Sequence, residues 1–559
     1  MKLTKKILLL ILASIQLAQI TAQTISDQNQ VLYLRRLQLN NQFNSTASFT
    51  QRSFFNGKDS FPQEITDFSF GDKLSVKKID TSIHFRVLPM YHWGVYNTHH
   101  PITINDAEML PANGYQSLLT TGIHISKNRW AGQFKPTLLV AENRDFETFL
   151  TQFDGIHWQD YYEWVNRIDM PERFGYKTIT KAYAGQSYLR YHFKNSSIGV
   201  STENLWWGPG YYQSLMMTNN APGFLHLNFQ SNKPLETTFG SVEWQAITGR
   251  LESSGFPPVE SRRVYNGKFL YDPKPTQTRI ITGGILTIQP KAVPGLFLGF
   301  TKAAYMYTND AKSPLDYLPL FGLYGWNVTN AEKLNRKKMM GSIFFRYYMK
   351  NEKAEAYAEF GRNDKTMNPL FLLGSDPQPT GFVAGFRKLV SLRKKSNLEF
   401  GIEFTQLGFN DRQLIRDVKS WYLDDTVRHG YTNRGQVIGS GLGPGGNSQL
   451  FEAAWNNGMN RISLQVERRI HNNDFFYYTF ERIKDYRRHW TDLIASLSVN
   501  RSYKNFLYGG SITTLRTLNY QWWYIERDPV ITWQNYFQNG LDYLTLQGQL
   551  YLHYRFNLK

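Results

Sequence analysis

A chain of 559 residues with no cysteine cannot be a disulfide scaffold, a thiolate metal protein or a lipoprotein tethered through an N-terminal Cys. Its 63 Lys and Arg against 45 Asp and Glu give a formal charge of +18. Aromatic residues make up 15% of it, more than a soluble core needs and in keeping with the interfacial girdles of a membrane β-barrel.

Residues 1–23 read as a secretory signal peptide. Lys2, Lys5 and Lys6 precede an apolar run from Ile7 to Ile15, and Thr21-Ala22 offers the small residues of a cleavage site. Removing it takes three lysines away and leaves +15. The apolar run is too short to span a bilayer as a helix, and no later stretch reaches 18 apolar residues. Residues 24–80 hold a helix candidate over Val31 to Asn40 followed by mixed polar sequence, a periplasmic segment or a plug. The barrel is expected over residues 81–559.

The first convincing strand runs from Ser82 to Tyr96, broken at Pro89. Residues 153–177, with Trp158, Tyr161, Tyr162, Trp164 and Arg173, read as a long loop or short helix between strands. Strict alternation then marks strands with two unlike faces. Leu189, Tyr191 and Phe193 oppose Arg190 and His192. Ala354, Ala356, Ala358 and Phe360 oppose Glu355, Tyr357 and Glu359. Leu398, Phe400, Ile402 and Phe404 oppose Glu399, Gly401 and Glu403, and Ile462, Leu464 and Val466 oppose Ser463, Gln465 and Glu467. In a membrane barrel the apolar sets face lipid and the polar sets face the lumen, where carboxylates meet Arg and Lys. The last strand decides between barrel and soluble sandwich. Leu544, Leu546, Gly548, Leu550, Leu552, Tyr554, Phe556 and Leu558 share one face to the penultimate residue. Soluble domains seldom end on their best amphipathic strand. The fold class is therefore all-β, a transmembrane antiparallel outer-membrane barrel. At roughly 25–30 residues per strand, the length fits 16 or 18 strands.

No catalytic constellation emerges. Gly441-Leu442-Gly443-Pro444-Gly445-Gly446 has GxGxxG spacing, but a phosphate cradle needs a strand before it and a helix after it. His92, His99 and His100 lack the partners of a metal site, and no metal or cofactor is expected. No nucleic-acid partner is expected for an exported chain. The basic excess points to an anionic polymer outside the cell or to the headgroups of outer-membrane lipid.

One run stands apart: Ser201-Thr202-Glu203-Asn204-Leu205-Trp206-Trp207-Gly208-Pro209-Gly210, followed by Asn219-Asn220-Ala221-Pro222-Gly223-Phe224. It joins Asn105 to Gly114 and Gly185-Gln186-Ser187 upstream. Downstream come Trp421-Tyr422, His429 to Val437 and Gly443-Pro444-Gly445-Gly446-Asn447. This series resembles the Wzi capsule-assembly family in its Bacteroidetes-type form, over nearly the whole mature chain. The resemblance implies an 18-stranded barrel with helical material near its periplasmic end, occluded by inward loops and inserted by the barrel-insertion machinery. It also implies a lectin-like role: holding capsular or exopolysaccharide at the cell surface rather than synthesising it. Outward loops are expected to bind the polymer by aromatic stacking and Arg or Lys pairing, through Trp206, Trp207, Tyr211, Tyr212, Arg434 and Gln436. Gly208, Pro209, Gly210, Asn219, Asn220, Pro222, Gly223, Gly443, Pro444 and Gly445 are expected to shape the loops. A porin or glycan channel, an outer-membrane enzyme, and a structural partner in surface secretion are the rival readings.

Overall fold

The computed structural model describes residues 28–43, 45–51, 76–80, 83–319, 336–364, 379–392, 396–408, 420–480, 487–524 and 541–556. The signal peptide expected over 1–23 lies outside them. Eighteen antiparallel staves close a barrel. In chain order they are β1 (Ile83–Asn97), β2 (Gly114–Lys127), β3 (Trp130–Phe134 with Thr137–Ala141), β4 (Ile179–Tyr183 with Tyr188–His192), β5 (Ser196–Ser201) and β6 (His226–Ser231). Next come β7 (Gly240–Leu251), β8 (Arg279–Pro290), β9 (Leu296–Tyr307), β10 (Lys338–Met349), β11 (Ala354–Asp364) and β12 (Thr380–Ser391). The last six are β13 (Ser396–Gln406), β14 (Asn447–Asn457), β15 (Asn460–Ile470), β16 (Thr491–Tyr503), β17 (Phe506–Leu518) and β18 (Tyr543–Tyr554). Met90 to Asn97 of β1 pair with Tyr554 to Gln547 of β18, which closes the sheet and leaves no edge.

The period-2 pattern places each face as expected. Phe400, Ile402 and Phe404 are exposed toward lipid, while Glu399 and Glu403 are buried in the lumen. Leu189 and Phe193 face out and Arg190 and His192 face in. On β18, Leu544, Leu546 and Leu550 are outward and Thr545, Gln547 and His553 inward. The strand expected from Ser82 starts at Ile83, preceded by a short strand Val76–Asp80 that pairs with its beginning, and its pairing with β2 shifts register between Leu88 and Tyr91, where Pro89 has no N–H to give the ladder.

The staves meet in short turns at one end and in long loops at the other. By the rule for outer-membrane barrels, the short turns are periplasmic and the long loops extracellular. The lumen is filled. Helix α1 (Gln28–Leu39), one residue short of the expected end, lies inside it with Val31, Leu34, Arg35, Leu37 and Gln38 all buried. Asn41, just past its end, accepts from Tyr348 Oη at 2.5 Å near the short-turn rim. Residues 45–51 then run along the inner wall. Ser48 donates its backbone N–H to Glu243, and Thr50 and Thr287 share a hydroxyl hydrogen bond at 2.7 Å. Helix α2 (Gly155–Val165), in the stretch expected to be a loop or short helix, packs with α3 (Asn473–Thr479) at the long-loop end. Phe149, Phe153, Trp158, Tyr161, Phe475 and Trp522 make an aromatic cluster there, with the Phe149 and Tyr161 rings stacked at 4.1 Å.

Candidate functional site

The Trp-Trp-Gly-Pro-Gly run lies between β5 and β6, where the chain leaves the wall and enters the lumen. Trp206 and Trp207 are buried, the latter completely. Trp207 Nε1 donates to Gln245 Oε1 of β7 at 2.7 Å. Its backbone bridges Gln51 on one side and Met217 on the other, a small internal sheet between the N-terminal segment and the loop. The glycines that follow are required. Gly208 has φ +133°, and a Cβ there would sit 2.2 Å from Ser214 Oγ. A Cβ on Gly210 would sit 1.7 Å from the Gln213 carbonyl.

The turn presents three successive backbone amides to one lumen carboxylate. Tyr211, Tyr212 and Gln213 donate their N–H groups to Glu403 of β13 at 2.7, 3.1 and 2.7 Å, and Tyr357 Oη donates to it at 2.7 Å. Consecutive N–H groups form an anion-binding nest, here filled by the protein's own side chain. Glu359 of β11 is held differently, by two hydroxyls and one amide: Ser214 Oγ, Ser342 Oγ and the Leu215 N–H donate to it. A charged lattice lies alongside. Arg387 bridges Glu399 and Glu452 at 2.7 and 2.8 Å, and Arg461 meets the same two acids. Arg35 of α1 and Arg346 both pair with Glu355 at 2.8 and 2.7 Å. The Arg387 guanidinium lies over the Tyr211 ring.

Three inward loops are knotted together above this lattice. Thr218 donates to the Gly439 carbonyl at 2.6 Å, Asn220 to Val437 at 2.9 Å, and Asn433 to Pro222 at 3.0 Å. Gln436 donates to the Met109 carbonyl at 2.9 Å, and the Ala107 N–H donates to Asn219. Trp421 and Tyr422 are fully buried, and Tyr422 Oη donates to the Leu215 carbonyl. Gly443-Pro444-Gly445 makes a tight turn into β14; no helix follows it, so the GxGxxG spacing has no phosphate cradle. His99 and His100 contact each other, His100 also reaches Thr517 and Thr545, and among the described residues no cluster has the makings of a metal site.

The six residues expected to touch sugar are thus dispersed. Trp206, Trp207, Tyr211 and Gln436 are packed inside, with no open face for a ring to stack on. Their burial follows from the loop's inward course, which local sequence does not reveal. Tyr212 lines a lumen cavity of about 470 Å³ beside Glu452, Arg461, Gln465 and Asn219. Arg434 lines a cleft of about 80 Å³ at the long-loop end with Tyr183, Glu252 and Pro222. It pairs with Glu252 at 2.9 Å and lies over the Tyr183 ring at 5.1 Å. Alternation left the loop-holding carboxylates Glu359 and Glu403 undifferentiated. It placed both on the polar face, and nothing local distinguishes them from an ordinary lumen ion pair.

Burial also perturbs loop acids. It raises the Glu172 carboxyl to about 7, although the Phe149 N–H and Gln521 Nε2 donate to it, and it raises Asp106 to about 7 as well. Both are acids with folded values above the ordinary 4.5 and 3.8. Packing therefore favours their neutral forms, so loop stability is highest below about pH 4 and falls as pH rises to about 7. Once the intrinsic base-catalysed rate is divided out, amide protection factors in segment 142–178 should be higher at pH 5 than at pH 8, and Glu172→Gln should abolish most of that difference; equal protection at the two pH values in the wild type would refute it.

A family model described as capsule assembly protein Wzi matches residues 101–505. No curated protein matches the chain. Among solved structures the chain is similar to Wzi of Escherichia coli, an outer-membrane protein involved in group 1 capsule assembly and described as a carbohydrate-binding β-barrel. That likeness has TM-score 0.59 and 12% identity, covering 96% of this chain and 100% of the other, and it is a likeness of fold. OccAB4 of Acinetobacter baumannii matches at TM-score 0.37 and 7% identity, over 85% of this chain and 98% of the other. OccK5 of Pseudomonas aeruginosa matches at 0.39 and 9%, over 84% and 97%.

Proposed function

Because the chain belongs to the Wzi capsule-assembly family, we propose that this outer-membrane barrel binds exported capsular or exopolysaccharide and retains it at the cell surface. The observation that carries the reading is the filled lumen. With α1, residues 45–51 and three interlocked loops inside, the barrel is suited to holding a polymer at its mouth and poorly suited to conducting one. A porin would need a wide, charged passage instead.

Sugar contacts are assigned to the long-loop end. Tyr176 and Phe269 are 66% and 71% exposed, and flat exposed rings suit stacking on pyranose faces. Arg434 in its cleft offers a guanidinium that, released from Glu252, binds a carboxylate or a vicinal diol. Trp206, Trp207, Tyr211 and Gln436 act as positioning residues that fix the loops, and Tyr212 faces the lumen cavity. Many weak contacts along a repeating polymer add by multivalency, so no deep pocket is required. The reading is non-catalytic: purified barrel should leave the polymer's length unchanged, and a drop in length that a single Asp, Glu or His substitution abolishes would favour an enzyme.

Deleting the gene should move polysaccharide from the cell-attached to the shed fraction, and re-expression should restore it. Unchanged attachment would overturn the proposal. Arg434→Ala should weaken polymer binding by about tenfold, the worth of one partly exposed charge-assisted hydrogen bond. Biolayer interferometry with immobilised barrel reads the difference, and an unaltered affinity removes Arg434 from the site.

A further inference from the structure

The chain's positive charge is unevenly placed between the two ends of the barrel. Of the short turns whose residues are all described, only 457–460 lacks Lys or Arg. Arg129, Lys194, Lys233, Lys291, Lys350 and Lys504 sit in six different turns and all are exposed. Among the described residues these turns hold two carboxylates, Glu236 and Glu352, and Glu352 already faces Lys388 at 3.4 Å. The extracellular end is different. Loop 142–178 alone carries eight carboxylates against four cations. The basic excess that sequence assigned equally to an outward polymer or to lipid therefore lies on the side away from the expected polymer.

We propose that the short-turn rim binds the phosphates of anionic phospholipids in the inner leaflet of the outer membrane. Three features favour lipid over a soluble partner. Among the described residues the cations occupy five successive turns around the wall and recur at Lys504, a partial ring. Neighbouring strands lie about 4.8 Å apart, so successive turns are spaced on the order of 10 Å, close to the roughly 8 Å Debye length at physiological salt, and their potentials overlap. Outward-facing aromatics stand beside the ring: Trp130 next to Arg129, Phe193 next to Lys194, Tyr347 near Lys350, and Tyr503 and Phe506 flanking Lys504. Such rings mark the headgroup level of a bilayer, which places the ammonium groups where lipid phosphates lie. Lysine predominates, and its long stem lets the charge follow a mobile phosphate without a fixed geometry.

The test uses the full mature barrel in detergent, titrated with dioleoyl phosphatidylglycerol or dioleoyl phosphatidylcholine and read by native mass spectrometry. The wild type should retain phosphatidylglycerol preferentially. A variant carrying K194Q, K233Q, K291Q and K350Q should retain about fivefold less of it while keeping the wild type's heat-modifiable gel shift. These four side chains are exposed in turns, so the barrel's interior is untouched. Equal retention of the two lipids by the wild type, or undiminished phosphatidylglycerol on the variant, overturns the proposal. A second arm adds soluble alginate to barrel in phosphatidylcholine nanodiscs. Alginate binding that the four substitutions abolish, with phosphatidylglycerol retention unchanged, would assign the ring to a polyanion and overturn the lipid assignment. None of these outcomes depends on whether the outward loops bind capsule.

Discussion

Glu403→Ala should release the Trp-Trp-Gly-Pro-Gly loop from the barrel wall. The carboxylate accepts from the backbone amides of Tyr211, Tyr212 and Gln213 and from Tyr357 Oη. Alanine leaves these donors inside the lumen without an acceptor. Each unsatisfied buried group costs about 1–3 kcal/mol, so the loop should lose about 3–6 kcal/mol of its hold, with water entry recovering part of it. The wall itself is set by strand pairing and lipid-facing residues, none of which changes. The barrel should therefore still insert and still show its heat-modifiable gel shift, while conductance in planar bilayers rises as the loop moves. A variant with unchanged, near-zero conductance would show that other contacts suffice to hold the loop. Glu403→Gln is the informative companion. It keeps one acceptor oxygen and should show a smaller effect.

Arg387→Met should destabilise the barrel by about 3 kcal/mol, because breaking a buried ion pair strands the charge left behind. Here two charges are stranded, Glu399 and Glu452, which Arg387 holds together. Arg461 still touches both acids, which keeps the cost at the lower end of the usual range. The loss of the cation over the Tyr211 ring adds to it. Urea unfolding of barrel in vesicles, followed by tryptophan fluorescence, measures the shift. Adding Glu452→Leu should restore part of the stability, since the second substitution removes one of the stranded charges. If the double variant is the less stable by the full sum of the two, the three groups do not act as one unit.

The sequence was most legible where the physics is local. Alternation over Leu398 to Phe404 and over the terminal strand reports which side each residue faces, because a pleated strand has period two whatever surrounds it. Pro89 announced its register shift for the same reason, since an imide nitrogen has no N–H to pair. The helix near Val31 was also visible, but its place was not. Arg35 and Arg36 look like the solvated face of a surface helix until the lumen acids Glu355 and Glu399 are set opposite them.

The candidate site was harder to read. Two adjacent tryptophans before Gly-Pro-Gly look like an exposed sugar platform, whereas Trp207 is fully buried and hydrogen-bonded to Gln245. At Gly208 and Gly210 a Cβ would collide with Ser214 Oγ and the Gln213 carbonyl, a few residues farther along the same loop. The positive charge was countable but not locatable, because whether a turn is short or long depends on which strands pair.

What the sequence determined by itself is the class of molecule, an exported, cysteine-free barrel with an apolar outside and a polar inside, along with the motifs that mark its family. Those are properties of single strands and short runs, where neighbouring residues supply the physics. Only the tertiary structure decided that the conspicuous loop turns inward, that one carboxylate gathers three of its amides, and that the cations line the short-turn rim. Each joins residues far apart in the chain, as Tyr211 and Glu403 are, and the closed sheet alone brings such residues within bonding distance.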